Sequence, residues 1–172
     1  MEIAPIILTA TMGPEDQSWA DRQRSEYYPA ERNVLDAHIT LFHHLPPTAL
    51  PELKGRIAML TAQHAAPNAY LSDLINLGRG VAYRVESREL MALREDLAHA
   101  FHGLLTPQDM AKPRLHITVQ NKVEPAIAAK LLRRLETTFV PRSLSIIGLS
   151  AFHYQGGPWS NIAHWKFRGH RR

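Results

Sequence analysis

The chain has 172 residues, of which 45% are apolar and 21% are charged, and its formal net charge is +4 at pH 7. This is the composition of an ordinary globular protein that can bury its own core, and the mild basicity is compatible with a phosphate-bearing ligand but is far below that of a basic nucleic-acid-binding arm. Because the sequence contains no cysteine, a disulfide scaffold, a thiolate nucleophile and a cysteine-containing zinc site are excluded.

The two ends of the chain show no targeting pattern. The N-terminal segment MEIAPIILTA lacks a basic region, and its apolar run is too short for a signal peptide. No stretch approaches the ~18–20 apolar residues of a membrane span. The basic C-terminal residues, about 168–172, are interpreted as a solvated tail. We therefore expect a cytoplasmic protein without a membrane segment.

Apolar periodicity, interrupted by Gly and Pro, divides the first half of the chain into strands and helices. The strands are short apolar runs, and the helices carry apolar stripes or lie next to a proline. In chain order we predict a strand over 5–11, a helix over 15–28, a strand over 37–42, a helix over 48–64, and strands over 69–77 and 81–86 joined by a hairpin at 78–80.

The second half shows a related order. Ser87 is a good N-cap for a helix whose apolar residues recur at helical spacing as far as Leu104. We then predict a loop, a strand over 114–120, a helix from Pro125 with a stripe that begins at Ile127 and reaches Phe139, and strands over 143–154 and 161–167. Each half has one strand containing HIT, followed by a helix and a hairpin pair. The pattern indicates a rough internal duplication within a single α+β domain spanning 1–172, with helices packed outside the sheets.

Two strands, DAHITLF and RLHITVQ, carry polar side chains in otherwise apolar runs. Because side chains alternate between the faces of a strand, His38 and Thr40 share one face and are ~7 Å apart along it. His116 and Thr118 stand in the same relation in the second strand. Each strand therefore has an apolar face for the core and a polar face that solvent, another element or a ligand must cover.

Two imidazoles and two hydroxyls suit phosphate ester chemistry. An unperturbed imidazole titrates near pH ~6.5, so one ring can act as a base while the other, protonated, acts as an acid. The hydroxyls can donate hydrogen bonds to the non-bridging oxygens of a pentacoordinate transition state. This chemistry needs neither a metal nor a covalent intermediate.

The doubled H-x-T motif, with its histidines 78 positions apart, resembles the 2H phosphoesterase superfamily, also called the 2′-5′ RNA ligase-like family. The segments ILTAT, NVLDAHITLFHHLPP, LGRGVAYRVES, LTPQD and HITVQNKV are similar to its bacterial members in particular. The resemblance covers about residues 5–167. The doubled motif is fairly specific, whereas a single H-x-T is a weak signal.

This resemblance implies a bilobed α+β fold of two antiparallel sheets with outer helices, in which pseudo-twofold symmetry places the two motifs across a central cleft. It implies cofactor-free and metal-independent action on 2′,3′-cyclic phosphate ends or 2′-5′ linkages of RNA and nucleotides, possible in reverse as 2′-5′ ligation. The catalytic positions correspond to His38, Thr40, His116 and Thr118, with either histidine as the acid. We expect a monomer whose partner is an RNA end or a nucleotide cyclic phosphate, with no protein partner.

Five further residues are candidates for contacts with the substrate. By alternation, Gln120 and Lys122 extend the polar face of the second motif strand. Arg79 could contact a phosphate or a base at the mouth of the cleft, or could be a solvated turn residue. Tyr83 and Tyr154 could stack on a base, and packing in the core or at an edge is the alternative for each.

Three other interpretations remain open. A metal site could form from His38, His43 and His44, but alternation directs His43 away from His38, and Asp36 is the sole acidic residue among them. A protein that binds RNA or nucleotides without turnover could keep the same cleft. The same chemistry could also act on a small cyclic-phosphate metabolite, because a long RNA groove would be more basic than this chain.

Overall fold

The computed structural model describes residues 4–171, and within them seven strands and five α-helices form. The strands are β1 Ile6–Met12, β2 Ile39–Leu45, β3 Asn68–Asn76, β4 Val81–Glu86, β5 His116–Gln120, β6 Arg142–His153 and β7 Ser160–Lys166. The α-helices are α1 Pro14–Tyr27, α2 Leu50–Gln63, α3 Arg88–Ala100, α4 Pro107–Met110 and α5 Pro125–Glu136. Short 3-10 helices lie at Ala30–Arg32 and Pro47–Ala49.

The long strand β6 joins two antiparallel sheets. Its C-terminal part pairs with β1 and β7, and β2 lies outside β1. Its N-terminal part pairs with β3, which is followed outward by β4 and β5. The order β2-β1-β6-β3-β4-β5 is symmetric about the β6–β3 pair, and the two motif strands, β2 and β5, take equivalent outer positions. The predicted α+β class with two antiparallel sheets is confirmed.

The duplicated unit is larger than the sequence pattern indicated. In the first half it runs β1-α1-β2-α2-β3, and in the second half β4-α3-β5-α5-β6, with the short helix α4 inserted before β5. The hairpin between β3 and β4 therefore connects the two units instead of closing the first one. Each motif strand is preceded by a helix, and α1 packs near β5 while α4 packs near β2.

The core forms between the sheets and the helices from the apolar faces that alternation predicts. Ile39 and Leu41 of β2 and Ile117 and Val119 of β5 are fully or almost fully buried. Burying each such side chain contributes about 1.5–3 kcal/mol to folding. Ser87 caps α3 as predicted, because its side-chain oxygen accepts a hydrogen bond from the Leu90 backbone NH. None of the described helices is both long and apolar enough to cross a membrane.

Two residues of the predicted apolar stripes are exposed. Helix α3 ends at Ala100 before the left-handed Gly103 (φ +86°), so Leu104 lies beyond the helix and is 53% exposed. Ile127, in the first turn of α5, is 52% exposed because the buried side of that helix begins at Ala128. Helical spacing alone did not show where the packed stripe begins and ends.

The C-terminal backbone over residues 168–171 is anchored to the end of α2, although its basic side chains are exposed. The backbone NH of Arg168 donates to the Thr61 carbonyl at 2.7 Å, and that of Gly169 donates to the His64 carbonyl at 3.0 Å. A Cβ at position 169 would meet the His64 backbone at 2.5 Å, so this approach requires glycine. The predicted solvated tail is therefore docked, and Arg172 lies outside the described residues.

Candidate active site

The two H-x-T motifs open into one cleft between the lobes. Strands β2 and β5 present their polar faces to it, and its volume is about 390 Å³, within the range of small-molecule sites. His38, Thr40, His116 and Thr118 all line this cleft. The structure thus brings together the four residues that the sequence pairs only by motif.

Both motif histidines are oriented by the same local hydrogen bond. His38 Nδ1 lies 2.8 Å from the Asp36 carbonyl oxygen, and His116 Nδ1 lies 2.6 Å from the Arg114 carbonyl oxygen. Because a carbonyl oxygen only accepts, each Nδ1 must carry a proton and donate it. Each Nε2 is thereby left free for proton transfer. The motif histidine and threonine of one strand form a half-site, and the two half-sites have the same geometry.

Burial shifts the protonation of both rings. Burial lowers the pKa of His38 to about 4, against the opposing effect of its bond to the Asp36 carbonyl, and the positive charge of Arg24 lowers the pKa further. Burial likewise lowers the pKa of His116, and the charge of Arg114 acts in the same direction. Both rings are therefore neutral in the empty cleft at pH 7, and a bound phosphate anion would favour a proton on one of them.

Trp159 covers His38 from the loop that joins β6 to β7. The two ring centroids are 4.6 Å apart with an interplanar angle of 54°, and Phe152 supports the tryptophan from behind at 5.5 Å. Trp159 also lines the cleft. The sequence analysis predicted only a connection between two strands at Gly156–Pro158 and did not identify Trp159. A tryptophan next to a turn is a signal that could have indicated a functional loop here.

A buried arginine from each duplicated unit fixes the motif strand of the other unit. Arg24 of α1 donates from Nη1 to the carbonyl of Thr118 at 3.0 Å. Arg94 of α3 donates from Nε to the carbonyl of Leu41, next to Thr40, at 3.1 Å. Both arginines are 4% exposed, and burial lowers the pKa of each guanidinium. These bonds join the two duplicated units, and neither arginine was identified from the sequence.

Strand alternation holds through each motif and fails directly after it, because both motif strands contain a bulge. In β2, Thr40 pairs with Thr9 and Phe42 with Leu8, so β2 has one extra residue directly before Phe42. A second extra residue lies between Phe42 and Leu45, which pairs with Ile6. The extra residue before Phe42 reverses the facing of the strand, so Phe42 is completely buried and His43 lines the cleft. The expectation that His43 points away from the site is therefore wrong.

The metal interpretation relied on His38, His43 and His44. Of these three, His38 and His43 line the cleft and His44 does not. Within residues 4–171, no group of three or more His, Asp or Glu side chains is arranged to hold a metal ion.

The bulge in β5 changes the position of Gln120. Thr118 pairs with Ala82 and Gln120 with Val81, so the strand gains one residue after the motif. Gln120 is consequently 4% exposed, and its Oε1 is buried without a hydrogen-bond partner among the described residues. Lys122 is exposed beyond the strand with φ +63°. Neither side chain lines the cleft, so their predicted contacts with substrate stay predictions.

The other three candidates also lie outside the cleft lining. Arg79 is exposed in the β3–β4 turn, 3.9 Å from Glu124. Tyr83 is 5% exposed and donates its hydroxyl to Gln23 at 2.7 Å, and burial raises its pKa to about 12. Tyr154 follows β6 and is 47% exposed. The structure places Tyr83 in the core, as the packing alternative expected, and a substrate contact of Arg79 or Tyr154 stays a prediction.

Comparison with known proteins agrees with this architecture. The TT0787 protein of Thermus thermophilus is similar over 97% of this chain and 100% of its own, with 16% identity and a TM-score of 0.64. A protein described as a phosphoesterase covers 96% of this chain and 99% of its own, with 17% identity and a TM-score of 0.60. E. coli LigT in complex with 3′-AMP covers the same shares, with 16% identity and a TM-score of 0.57. At these identities the likeness shows the fold.

The family itself is shown by the sequence. No curated protein matches the chain. The model of the 2′-5′ RNA ligase superfamily matches residues 13–158, a range that contains both H-x-T motifs and the helices that carry the two buried arginines. The chain therefore belongs to the 2′-5′ RNA ligase superfamily, the group of 2H phosphoesterases.

Proposed function

We propose that the chain is a metal-independent phosphodiesterase that acts on 2′,3′-cyclic phosphate ends or 2′-5′ linkages of RNA or nucleotides. One observation carries the proposal: two imidazoles with free Nε2 atoms, each accompanied by a threonine hydroxyl, face a single cleft in equivalent positions. An acid and a base on opposite sides of one phosphoryl group are the groups that in-line displacement at phosphorus requires.

In the proposed reaction the phosphoryl group lies between the two half-sites. One neutral histidine takes a proton from water, whose oxygen forms the new P–O bond. The other histidine, protonated, gives its proton to the ribose oxygen as the old P–O bond breaks, so a cyclic phosphate becomes a phosphomonoester next to a free hydroxyl. The hydroxyls of Thr40 and Thr118 donate to the non-bridging oxygens, where negative charge develops. With a 5′-hydroxyl in place of water, the same groups would form a 2′-5′ linkage.

The space beside this phosphoryl position supports a nucleoside as part of the substrate. A second cavity, of about 310 Å³, shares His38 and Trp159 with the cleft. It combines the apolar side chains of Leu35 and Phe152 with the hydroxyls of Thr9, Thr11 and Ser150. Such a cavity offers stacking surface and hydrogen-bonding groups for a base. E. coli LigT has been crystallised with 3′-AMP and with NADP⁺, which supports a nucleotide as the ligand class.

Turnover measurements with EDTA present test this proposal. The substrates are 2′,3′-cyclic mononucleotides, oligonucleotides that end in a cyclic phosphate, and 2′-5′ dinucleotides. We expect hydrolysis of at least one class, unaffected by the chelator and lowered by about 10²–10⁴ in His38→Ala and in His116→Ala. Nucleotide binding without turnover of any substrate would overturn the proposal and favour a binding protein.

A further inference from the structure

A third histidine, His43, is held in the cleft by a buried carboxylate. Its Nδ1 lies 3.3 Å from Oδ1 of Asp109, which is 0% exposed. The same carboxylate accepts the backbone NH groups of His43 and His44, each at 2.8 Å. Burial by itself would raise the pKa of Asp109, but these hydrogen bonds outweigh it and keep the pKa below its ordinary value. Asp109 is therefore an anion behind the imidazole.

The segment that carries Asp109 is fixed in its turn. Arg94 donates from Nη2 to the backbone carbonyl of Asp109 and from Nε to the carbonyl of Leu41, and its guanidinium lies 4.3 Å from the centre of the Phe42 ring. Helix α3, helix α4 and the bulge of β2 thus form one packed unit. The position of His43 is built by buried contacts and is not that of a loose surface histidine.

The cleft that His43 faces presents hydrogen-bond donors and positive charge. Its lining includes Gln108 and Asp109 from α4, Arg94 from α3, Arg114 from the segment before β5, and the two motif histidines. With Nδ1 directed to Asp109, the Nε2 atom of His43 is left for a ligand. Because the one carboxylate here is buried behind the imidazole, an approaching anion meets His43 and Arg114 first. The fold of this region does not depend on the His43 ring, because Asp109 holds the bulge through the backbone NH groups of His43 and His44.

We propose that His43, supported by Asp109 and accompanied by Gln108 and Arg114, forms a second phosphate subsite. The substrate class is a ribonucleoside 2′,3′-cyclic phosphate that also carries a phosphate on its 5′ oxygen. This inference rests on the proposed function and names its substrate class. In such a molecule the base and the 5′ carbon extend from opposite ends of the C2′–C3′ edge. A base in the cavity beside Trp159 directs the 5′-phosphate along β2 toward His43, three residues or ~10 Å from Thr40.

Substrate preference tests the subsite. We compare kcat/KM for 2′,3′-cyclic AMP with kcat/KM for the same nucleotide bearing a 5′-phosphate. The wild-type protein should prefer the 5′-phosphorylated form by about tenfold or more, the range of one charge-assisted hydrogen bond. In His43→Ala the ratio should fall to about one. The matched control is His44→Ala, which alters the neighbouring exposed residue of the same bulge and should keep the wild-type ratio.

A cyclic-phosphate dinucleotide distinguishes the two sources of a 5′-phosphate group. If the dinucleotide shows the same dependence on His43, the subsite takes the phosphodiester of an RNA strand; if only the mononucleotide does, it takes a terminal phosphate. A wild-type ratio near one, or an unchanged ratio in His43→Ala, would overturn the subsite. An equal loss on both substrates in His43→Ala would also overturn it, because that result places His43 in the chemistry.

Binding measurements separate this inference from the proposed function. By calorimetry, adenosine 2′,5′-bisphosphate should bind the wild-type protein more tightly than adenosine 2′-monophosphate, and His43→Ala should remove the difference. This comparison needs no turnover, so it decides on the subsite even if no substrate is hydrolysed. If His43→Ala does not fold, His43→Gln approximates the size of the side chain without the imidazole and takes its place in both experiments.

Discussion

The half-site on β2 and the half-site on β5 have the same motif, the same histidine hydrogen bond and an arginine from the other duplicated unit. Their surroundings differ. On β2, Trp159 covers the motif histidine and the bulge adds a further histidine to the cleft. On β5, the charges of Arg114 and Arg84 lower the pKa of His116, and the bulge buries the side-chain amide of Gln120. The duplicated strands therefore supply an equivalent pair of reactive groups, and the loops make the pair unequal.

The inequality has a chemical consequence. The ring under Trp159 is the more strongly held in its neutral form, because burial lowers the pKa of His38 to about 4. A two-histidine mechanism needs one neutral and one protonated ring. Surroundings that give the two rings different pKa values help to populate that state. The symmetric half-sites provide the geometry for in-line displacement. Their unequal surroundings determine which of the two histidine rings is neutral.

The largest effect is expected when either half-site loses its imidazole. His38→Ala and His116→Ala should each lower kcat by about 10²–10⁴, the contribution of a general acid or base. Turnover of a 2′,3′-cyclic nucleotide measures this loss, with His102→Ala, an exposed histidine outside the cleft, as the control. A variant of either motif histidine that retained wild-type turnover would show that only one half-site is used.

The next largest effect is expected when the arginine bonds between the duplicated units are removed. Arg24→Ala and Arg94→Ala each remove a buried charged donor, and a hydrogen bond to a charged group is worth about 1.5–3 kcal/mol. We expect both to lower the free energy of unfolding by at least that amount and to reduce kcat, because the motif carbonyls lose their partners. Urea denaturation followed by activity assays measures both quantities. Arg22→Ala, an exposed change in the same helix as Arg24, should leave both near wild type.

The threonine hydroxyls should contribute less than the imidazoles. Thr40→Val and Thr118→Val keep the shape of the side chain and remove one donor to the phosphoryl oxygens. A loss of about tenfold in kcat is expected for each, in line with one charge-assisted hydrogen bond. Steady-state kinetics measures the loss. Variants with unchanged kcat and raised KM would assign the hydroxyls to ground-state binding.

The smallest predicted effect is a shift of the pH profile. Because burial lowers the pKa of both rings, the bell-shaped dependence of kcat/KM on pH should have its optimum on the acid side of pH ~6.5. Trp159→Ala exposes His38, raises its pKa toward the ordinary value and should move the acid limb to higher pH. A profile from pH 4 to 9 measures this shift, and an acid limb that did not move would mean that Trp159 does not control the burial of His38.

The sequence was sufficient for the seven strands, for the four longer helices and for the four central residues, because alternation and helical periodicity are local patterns. It missed the short helix α4, which lies in the predicted loop before β5. It was insufficient where a backbone irregularity intervenes. A bulge reverses the facing of every later residue in a strand, which is why His43 was assigned to the wrong face and Gln120 to the polar one. Arg24, Arg94 and Asp109 act across long sequence separations, and no local pattern distinguishes them from solvated helix charges.

The central claim is that both half-sites act on one phosphoryl group. Histidine-resolved NMR during a titration with adenosine 2′-monophosphate tests it most directly. We expect one equivalent to perturb the ring signals of His38 and His116 together, with a single dissociation constant, and His38→Ala to weaken the response of His116. Perturbation of only one ring, or of the two rings with different dissociation constants, would contradict the account.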